Sequence, residues 1–480
     1  MQTRREFLKC AGLAAAAGAL GATGSGCRSV GEGRNAAGVR ERPNIIFVLA
    51  DDLGYGDLGC YGQKTIRTPN LDRMAAEGMI FTDHYSGTCV CAPSRCSLMT
   101  GLHTGHTYIR GNSEVKPMGQ LPLPEGTVTL ARVLQGAGYR TALVGKWGLG
   151  GPDSTGVPNR QGFDSFFGYL CQRHAHNYYP EFLFRNGARV PLKNEVPGGR
   201  ADGAGVATKK VEYSASLFER EALQFIEQNK GGPFLLYFAA TLPHANDEGG
   251  QNGMEVPDYG VYTDKNWPEP EKGRAAMITY LDRSVGRLVQ RVKDLDLDRN
   301  TIVFFASDNG PHREGGSNPE FLHCSGPLRG IKRDLYEGGV RVPMIARWPG
   351  RIKPGTQTGL VSAFWDVLPT CAELAGAPCP GGLDGISMVP TLLGRPEQQR
   401  QHEALYWEFH EGGSVQGVRM GRWKAVRPVG KKLELYDLQT DLGEKDNVAE
   451  DHSDVVARIE KYLATARTES EFWPLKAGKK

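Results

Sequence analysis

Cys91 opens the segment Cys91-Ala-Pro-Ser-Arg-Cys-Ser-Leu-Met-Thr-Gly101. Pro93 suits the first turn of a helix and Gly101 its end, so the spacing predicts a helix with the Cys91 thiol just before its N-terminus. Unpaired amides and the helix dipole favour an anion at that place. A second kind of chemistry comes from Asp51-Asp52 and Asp308-Asn309, hard oxygen donors with no His or Cys beside them. Such a set suits Ca2+ before Mg2+. Taken alone, Asp51-Asp52 followed by Leu53-Gly54-Tyr55-Gly56 also reads as a turn with solvated carboxylates, and the second Asp-Asn pair weighs against that reading. Lys146 and His244 add a cation and a titratable ring.

These residues share a position in the pattern. Asn44 to Ala50, Arg140 to Lys146, Pro233 to Ala239 and Thr301 to Ser307 are runs apolar on both faces, as buried parallel strands are. They end in, or are soon followed by, Asp51-Asp52, Lys146, His244 and Asp308-Asn309, and ligands of open α/β sheets gather beyond the carboxyl ends of the strands. Helical patterns at Thr129 to Ala137, Ser214 to Gln228 and Ala275 to Leu295 alternate with the runs, which predicts an α/β sandwich with a large mixed, mostly parallel sheet. After about residue 385 the segments shorten: Ala404 to Phe409, Val415 to Met420, Trp423 to Val426 and Leu433 to Asp437, then a helix from Ser453 to Arg467. They predict a small C-terminal antiparallel sheet with a helix. The expected divisions are a leader at 1–27, a linker at 28–42, a catalytic α/β domain at 43–385 and an α+β subdomain at 386–480.

The cysteine segment fits the pattern Cys-x-Pro-Ser-Arg-x-x-x-(Leu/Met)-Thr-Gly, and the chain resembles the type I sulfatases, of the alkaline phosphatase superfamily, from about Arg42 to Val426. Ala50-Asp51-Asp52-Leu53-Gly54-Tyr55-Gly56-Asp57, Gly145-Lys146-Trp147, Pro243-His244, Ser307-Asp308-Asn309-Gly310 and Lys332 before Tyr336-Glu337-Gly338-Gly339 resemble further motifs of that family, in order. The resemblance implies hydrolysis of a sulfate monoester, with Cys91 oxidised to formylglycine by a formylglycine-generating enzyme. It also implies Asp51, Asp52, Asp308, Asn309 and modified Cys91 around a calcium ion, Arg95, Lys146 and Lys332 on the sulfate, and His244 with Lys332 on the leaving alcohol. A hydrated aldehyde suits this chemistry because one hydroxyl attacks sulfur and the other later expels sulfate, where a plain Ser or Cys would leave a stable ester.

One position departs from the family. Two residues after Lys146 the family has His, and this chain has Gly148. Either turnover is slow or absent, or another base fills the vacated space. Gln172-Arg173-His174-Ala175-His176-Asn177 is the candidate source: His174 and His176 share a face if the segment is extended, and either suits a base or a substrate contact. His84, His103 and His106 read as hydrogen-bonded framework. His312, His323 and Arg329 lie in the loop before Lys332, where substrate contacts are expected, and His410 is a further candidate beside Trp407 and Phe409.

With 480 residues, 40% hydrophobic and 23% charged, the chain has the composition of a globular protein of one large and one smaller domain. Thr3-Arg4-Arg5-Glu6-Phe7-Leu8-Lys9 and the small apolar run Ala11 to Ala22 have the layout of a twin-arginine export signal, too weakly apolar for a membrane anchor. A periplasmic or extracellular protein is expected, with Cys27 a candidate for lipidation although Gly24 replaces the usual leucine. Without that leader the net charge of +3 falls to +1, so no global field attracts nucleic acid or anionic membrane. Ten cysteines do not form a framework once the leader and Cys91 are set aside; Cys371 and Cys379 are close enough to bridge, and Cys89 with Cys91 makes a weak redox or metal pair. Secretion and polar, His- and Tyr-rich loops favour a carbohydrate sulfate. The alternatives are a phosphate or phosphonate monoester hydrolase and a non-catalytic protein that binds sulfated glycans.

Overall fold

The structure, a computed structural model, describes residues 42–478. The leader, the linker up to residue 41, and Cys27 lie outside the described residues.

The main sheet of the described residues has ten strands: β1 (Asn44–Ala50), β2 (Met79–Phe81), β3 (Arg140–Lys146), β4 (Ser165–Tyr169), β5 (Phe182–Arg185), β6 (Ala188–Pro191), β7 (Phe234–Ala239), β8 (Thr301–Ser307), β9 (Met344–Arg347) and β10 (Thr356–Thr358). Their order is β10-β2-β9-β8-β1-β7-β3-β4-β5-β6. The run from β8 to β4 is parallel, and β9, β5 and β6 pair antiparallel with their neighbours toward the edges.

Strand side chains alternate between faces, and both faces here are covered. Ile46, Val48, Phe238 and Phe305 pack with helices α1 (Pro69–Ala76), α4 (Ser214–Gln228) and α5 (Glu269–Asp294). Ile45, Phe47, Tyr237 and Phe304 pack on the opposite side with α2 (Cys91–Thr100), α3 (Leu130–Gly136) and α6 (Val367–Ala375). Burial of each such side chain contributes roughly 1.5–3 kcal/mol, so the central strands are the rigid part of the molecule.

Register then places the chemistry. Ala50 pairs with Ser307, and Ala239 pairs with both Leu49 and Gly145. The next residues outward, Asp51, Asp308, Ala240 and Lys146, therefore emerge along one edge. Helix α2 points its N-terminus at that edge. It begins at Cys91 itself, one step earlier than its proline suggests, and stops at Gly101, whose φ of 70° is a left-handed cap.

A four-stranded antiparallel sheet follows: β11 (Leu405–Phe409), β12 (Val415–Met420), β13 (Trp423–Pro428) and β14 (Glu434–Asp437). Leu405, Trp407 and Phe409 face Tyr85 and Trp365 of the main body, while Tyr406, Val418 and Leu435 face helix α7 (Ser453–Leu463). Cys371 is buried, Cys379 is exposed, and both are free thiols. Among the described residues no helix is long and apolar enough to cross a membrane.

Candidate active site

Four carboxyl or carboxamide side chains interlock at the ends of β1 and β8. Asp52 adopts a left-handed φ of 63°, a conformation that Asp tolerates better than most residues. Its amide donates to Asp308 Oδ1 at 3.0 Å, its Oδ1 accepts from Asn309 Nδ2 at 2.7 Å, and its Oδ2 accepts from Lys332 Nζ at 2.9 Å. Asp51 Oδ2 accepts from Lys146 Nζ at 2.6 Å. Arg95 clasps Asp308 Oδ2 through Nε at 3.1 Å and Nη2 at 2.8 Å, and fixes its third nitrogen on the Lys146 carbonyl at 2.9 Å.

Burial opposes ionisation of Asp51, but Lys146, Arg95 and His244 outweigh it and hold its carboxyl well below the usual range. Burial likewise opposes Asp52, and Lys332 and His244 outweigh it. Asp308 goes the other way: burial, with Asp51 beside it, pushes it up to about 7 against the pull of Arg95. Asn309 Oδ1 is buried and has no hydrogen-bond partner, which is rare for a native carbonyl. Three carboxylates and an orphaned amide oxygen, all hard donors, fit a hard divalent cation.

The Cys91 Sγ lies 3.7 Å from Asp51 Oδ1, and the donor atoms of Asp51, Asp52, Cys91 and His244 all fall within 4.8 Å of one another. Burial pushes the Cys91 thiol above its ordinary value, with Lys146 opposing and Asp51 and Asp308 reinforcing. Lys332 Nζ also reaches Glu314 Oε2 at 2.7 Å and His244 Nε2 at 3.2 Å. His244 Nδ1 sits 2.6 Å from the Ala245 carbonyl, which assigns the proton to Nδ1 and leaves Nε2 as the acceptor facing Lys332. Burial, followed by Lys332, lowers the His244 ring to about 3, so it is neutral. Cys91, His244, Lys332, His176 and Gln172 all line one cleft of about 280 Å³.

The structure sends the remaining candidates to different places. His176 is in the cleft: its ring lies on His244 with centroids 4.9 Å apart and planes 17° apart, and its Nδ1 meets Glu248 Oε2 at 3.1 Å. His174 is not. The segment His174–His176 is a 3-10 turn rather than extended, so its two histidines diverge. His174 is wholly buried between Phe182 and Tyr169, and burial lowers it to about 3. Arg329 also stays out of the cleft, stacked 3.8 Å over the Tyr336 ring and bonded to the Glu444 carbonyl at 2.7 Å. His410 lines a separate pocket with Trp473 and is held by Glu408 at 2.9 Å; its neighbour Glu411 reaches the catalytic cleft instead. His84 bonds Ser362, and His103 and His106 meet Asp384, as framework residues do.

Among the residues that escaped sequence reasoning are Glu314, which meets Lys332, and Gln172, which lines the cleft. Glu314, bonded to Lys332, has no motif around it. Gln172 had a signal, though an incomplete one: Gly148 says that some side chain fills its space without saying which. A Cβ on Gly148 would stand 2.3 Å from Gln172 Nε2, so the glutamine is the side chain that occupies it.

Comparison with known proteins now agrees with this geometry. The Sulfatase family model matches residues 43–377, and the model named N-sulphoglucosamine sulphohydrolase, C-terminal, matches residues 331–469. The chain is 38% identical to human arylsulfatase A over 404 residues, 81% of this chain and 75% of that one. It is 32% identical to dog N-acetylgalactosamine-6-sulfatase, over 82% of this chain and 73% of the other. The solved structure of Ps i-CgsB in complex with k-i-k-neocarrahexaose superposes with a TM-score of 0.75 at 28% identity, over 91% of this chain and 95% of the other. A parallel sheet with an oxygen-donor cluster and fixed cations at its carboxyl edge defines a hydrolase of anionic esters. The chain belongs to the sulfatase family and is a sulfuric ester hydrolase.

Proposed function

We propose that the protein is an exported, calcium-dependent sulfatase that removes sulfate from a carbohydrate through a formylglycine made from Cys91. The observation that carries this reading is the placement of Cys91 at the first position of helix α2, against Asp51 and within the cluster of Asp52 and His244. Asp51, Asp52, Asp308 and Asn309 would hold the ion, whose positive charge favours the ionised nucleophile and a sulfate oxygen. The aldehyde hydrate supplies the two hydroxyls that attack sulfur and then release sulfate.

The chain's own side chains do the rest. Lys146, Arg95 and Lys332, all buried, present fixed positive charge to the equatorial oxygens of the transferring group at the floor of the cleft, where such charge counts more than in bulk water. Lys332 carries protons and His244 Nε2 faces it, so this pair supplies the proton that the departing alkoxide takes up. Solved relatives of this fold include Ps i-CgsB with a neocarrahexaose, which supports a saccharide leaving group here. Export by the twin-arginine route rests on Arg4, Arg5 and the apolar run after them, and Cys27 is the residue a lipid would take.

The test is the intact mass of the tryptic peptide ending at Arg95, from a host able to modify it, with sulfate release measured on the same sample. Aldehyde at Cys91 together with release is the expected result. An unmodified thiol in a competent host, with release intact, would remove formylglycine from the mechanism.

A further inference from the structure

The missing family histidine leaves a question of chemistry. The space is filled, but by a carboxamide. Gln172 is 7% exposed, it lines the cleft with Cys91, and both Nε2 and Oε1 are buried without a hydrogen-bond partner. A desolvated carboxamide with neither group satisfied is costly, and in native proteins such a group calls for a partner or a functional role. It also sits close against the backbone of Gly148, whose φ is +79°: a Cβ built there would stand 2.3 Å from Nε2. The two neighbouring histidines are engaged elsewhere through one face or one nitrogen each. His174 turns into the core, and His176 has its Nδ1 on Glu248 and its face on His244.

We propose that Gln172 is a positioning residue of the sulfatase reaction, its carboxamide hydrogen-bonding a sulfate oxygen through Nε2 and the reactive side chain at position 91 through Oε1. This deepens the sulfatase reading above and rests on it. A neutral amide differs from an imidazole in one respect that can be measured: it holds the group without titrating. The site therefore orients the sulfated side chain by a fixed donor and acceptor. The second hydroxyl loses its proton to a water entering the cleft, its C=O bond forms, and the C–O bond to sulfate breaks, with no ring at this position taking the proton.

Two measurements test this. The first uses the Cys91→Ser protein, which needs no modification, with inorganic sulfate as the titrant in calorimetry. Gln172→Met, which keeps volume and loses both hydrogen bonds, is expected to weaken sulfate binding by on the order of ten-fold, the value of a hydrogen bond to a charged group. Gln172→Glu, which keeps shape and adds like charge, is expected to weaken it further. The second measures kcat against pH in modified enzyme. Gln172→Met is expected to lower kcat more than it raises KM, and Gln172→His to introduce a new ionisation near neutral pH that the parent profile lacks. Thermal melts of each variant confirm folding, and if Gln172→Met does not fold, Gln172→Glu and Gln172→His carry the comparison. Sulfate affinity and kcat unchanged in folded variants would overturn the proposal while leaving the sulfatase intact. A parent protein that neither binds sulfate nor releases it would overturn the reading beneath it as well.

Discussion

His244 faces Lys332 through Nε2, so in the proposed mechanism the plane of its ring decides where a leaving-group proton can go. Two contacts set that plane: the Ala245 carbonyl at Nδ1 and the flat face of His176. His176 is in turn held by Glu248, which its hydrogen bond and charge bring down to about 2 against the effect of burial. Glu248 on Nδ1 fixes the ring and leaves Nε2 open, while the stacked face braces His244. Replacing His176 by Ala removes a stacked pair worth about 1 kcal/mol and is expected to lower kcat/KM by roughly five- to ten-fold. His176→Phe keeps the stack and should stay within about three-fold of the parent. Steady-state rates for the two variants decide it: equal, large losses in both would mean that the nitrogen of His176, and not its face, does the work. The residues of this site that were legible in the sequence are those whose type states a task, such as the paired aspartates and the cysteine before a proline. Glu314 and Gln172 were not legible, because a glutamate or glutamine in a loop has no preferred chemistry until the fold sets it against a lysine or a glycine.

At the scale of elements, the site is the meeting of two strand ends. Asp52 N on Asp308, Leu53 N on Ser307 Oγ at 2.9 Å, and Asp308 N on the Ala50 carbonyl at 3.1 Å stitch the ends of β1 and β8 together. A cation shared by Asp51, Asp52, Asp308 and Asn309 would lock that stitch, and a ligand that binds only the folded state stabilises it by about 2.7 kcal/mol at one hundred times its Kd. Melting Cys91→Ser protein in chelator and again in saturating calcium is expected to show a rise on the order of several degrees, with a smaller rise in magnesium. Asn309→Leu, which deletes the orphaned oxygen, should abolish most of the rise. A melting temperature indifferent to calcium in the parent would remove these four residues as ligands. The central strands were legible as apolar runs because both of their faces are buried. Strands β5 and β6 were not: β5 is only four residues long with two of them buried, and β6, the edge strand, is mostly exposed and ends in Pro191, so no period marks either. The short β2, β9 and β10 lack the length to show a period at all.

At the scale of the whole molecule, the small sheet is bound to the catalytic body through a charged seam as well as through Trp407. Lys424 of β13 meets Glu337 at 2.9 Å with both side chains fully buried, and Arg341 joins Glu337 from the same chain segment at 3.2 Å. Glu444 enters from beyond the sheet, its Oε2 accepting from the Glu337 amide at 2.8 Å while its Oε1 has no partner. Burial pushes Glu444 up to about 8; Lys424 opposes this and Glu337 reinforces it. A carboxyl whose folded value lies above its unfolded value of 4.5 binds a proton more tightly when folded. The folded state thus holds more protons than the unfolded one between about 4.5 and about 8, and stability must fall as pH rises through that window. Glu337 has the opposite sign, held at about 2 by Lys424, Arg341 and Arg419 against burial, so its contribution is complete above 4.5 and is lost only as pH falls toward 2. The two windows do not overlap, which lets one variant separate them. Glu444→Gln keeps the hydrogen bond from the Glu337 amide and removes the titration. Denaturant unfolding at pH 5 and pH 8 is expected to show the parent losing stability across the interval by more than the variant does, with the variant the more stable at pH 8. A parent and variant with the same pH dependence would mean that Glu444 is ionised at neutral pH and that Lys424 serves two carboxylates at this seam.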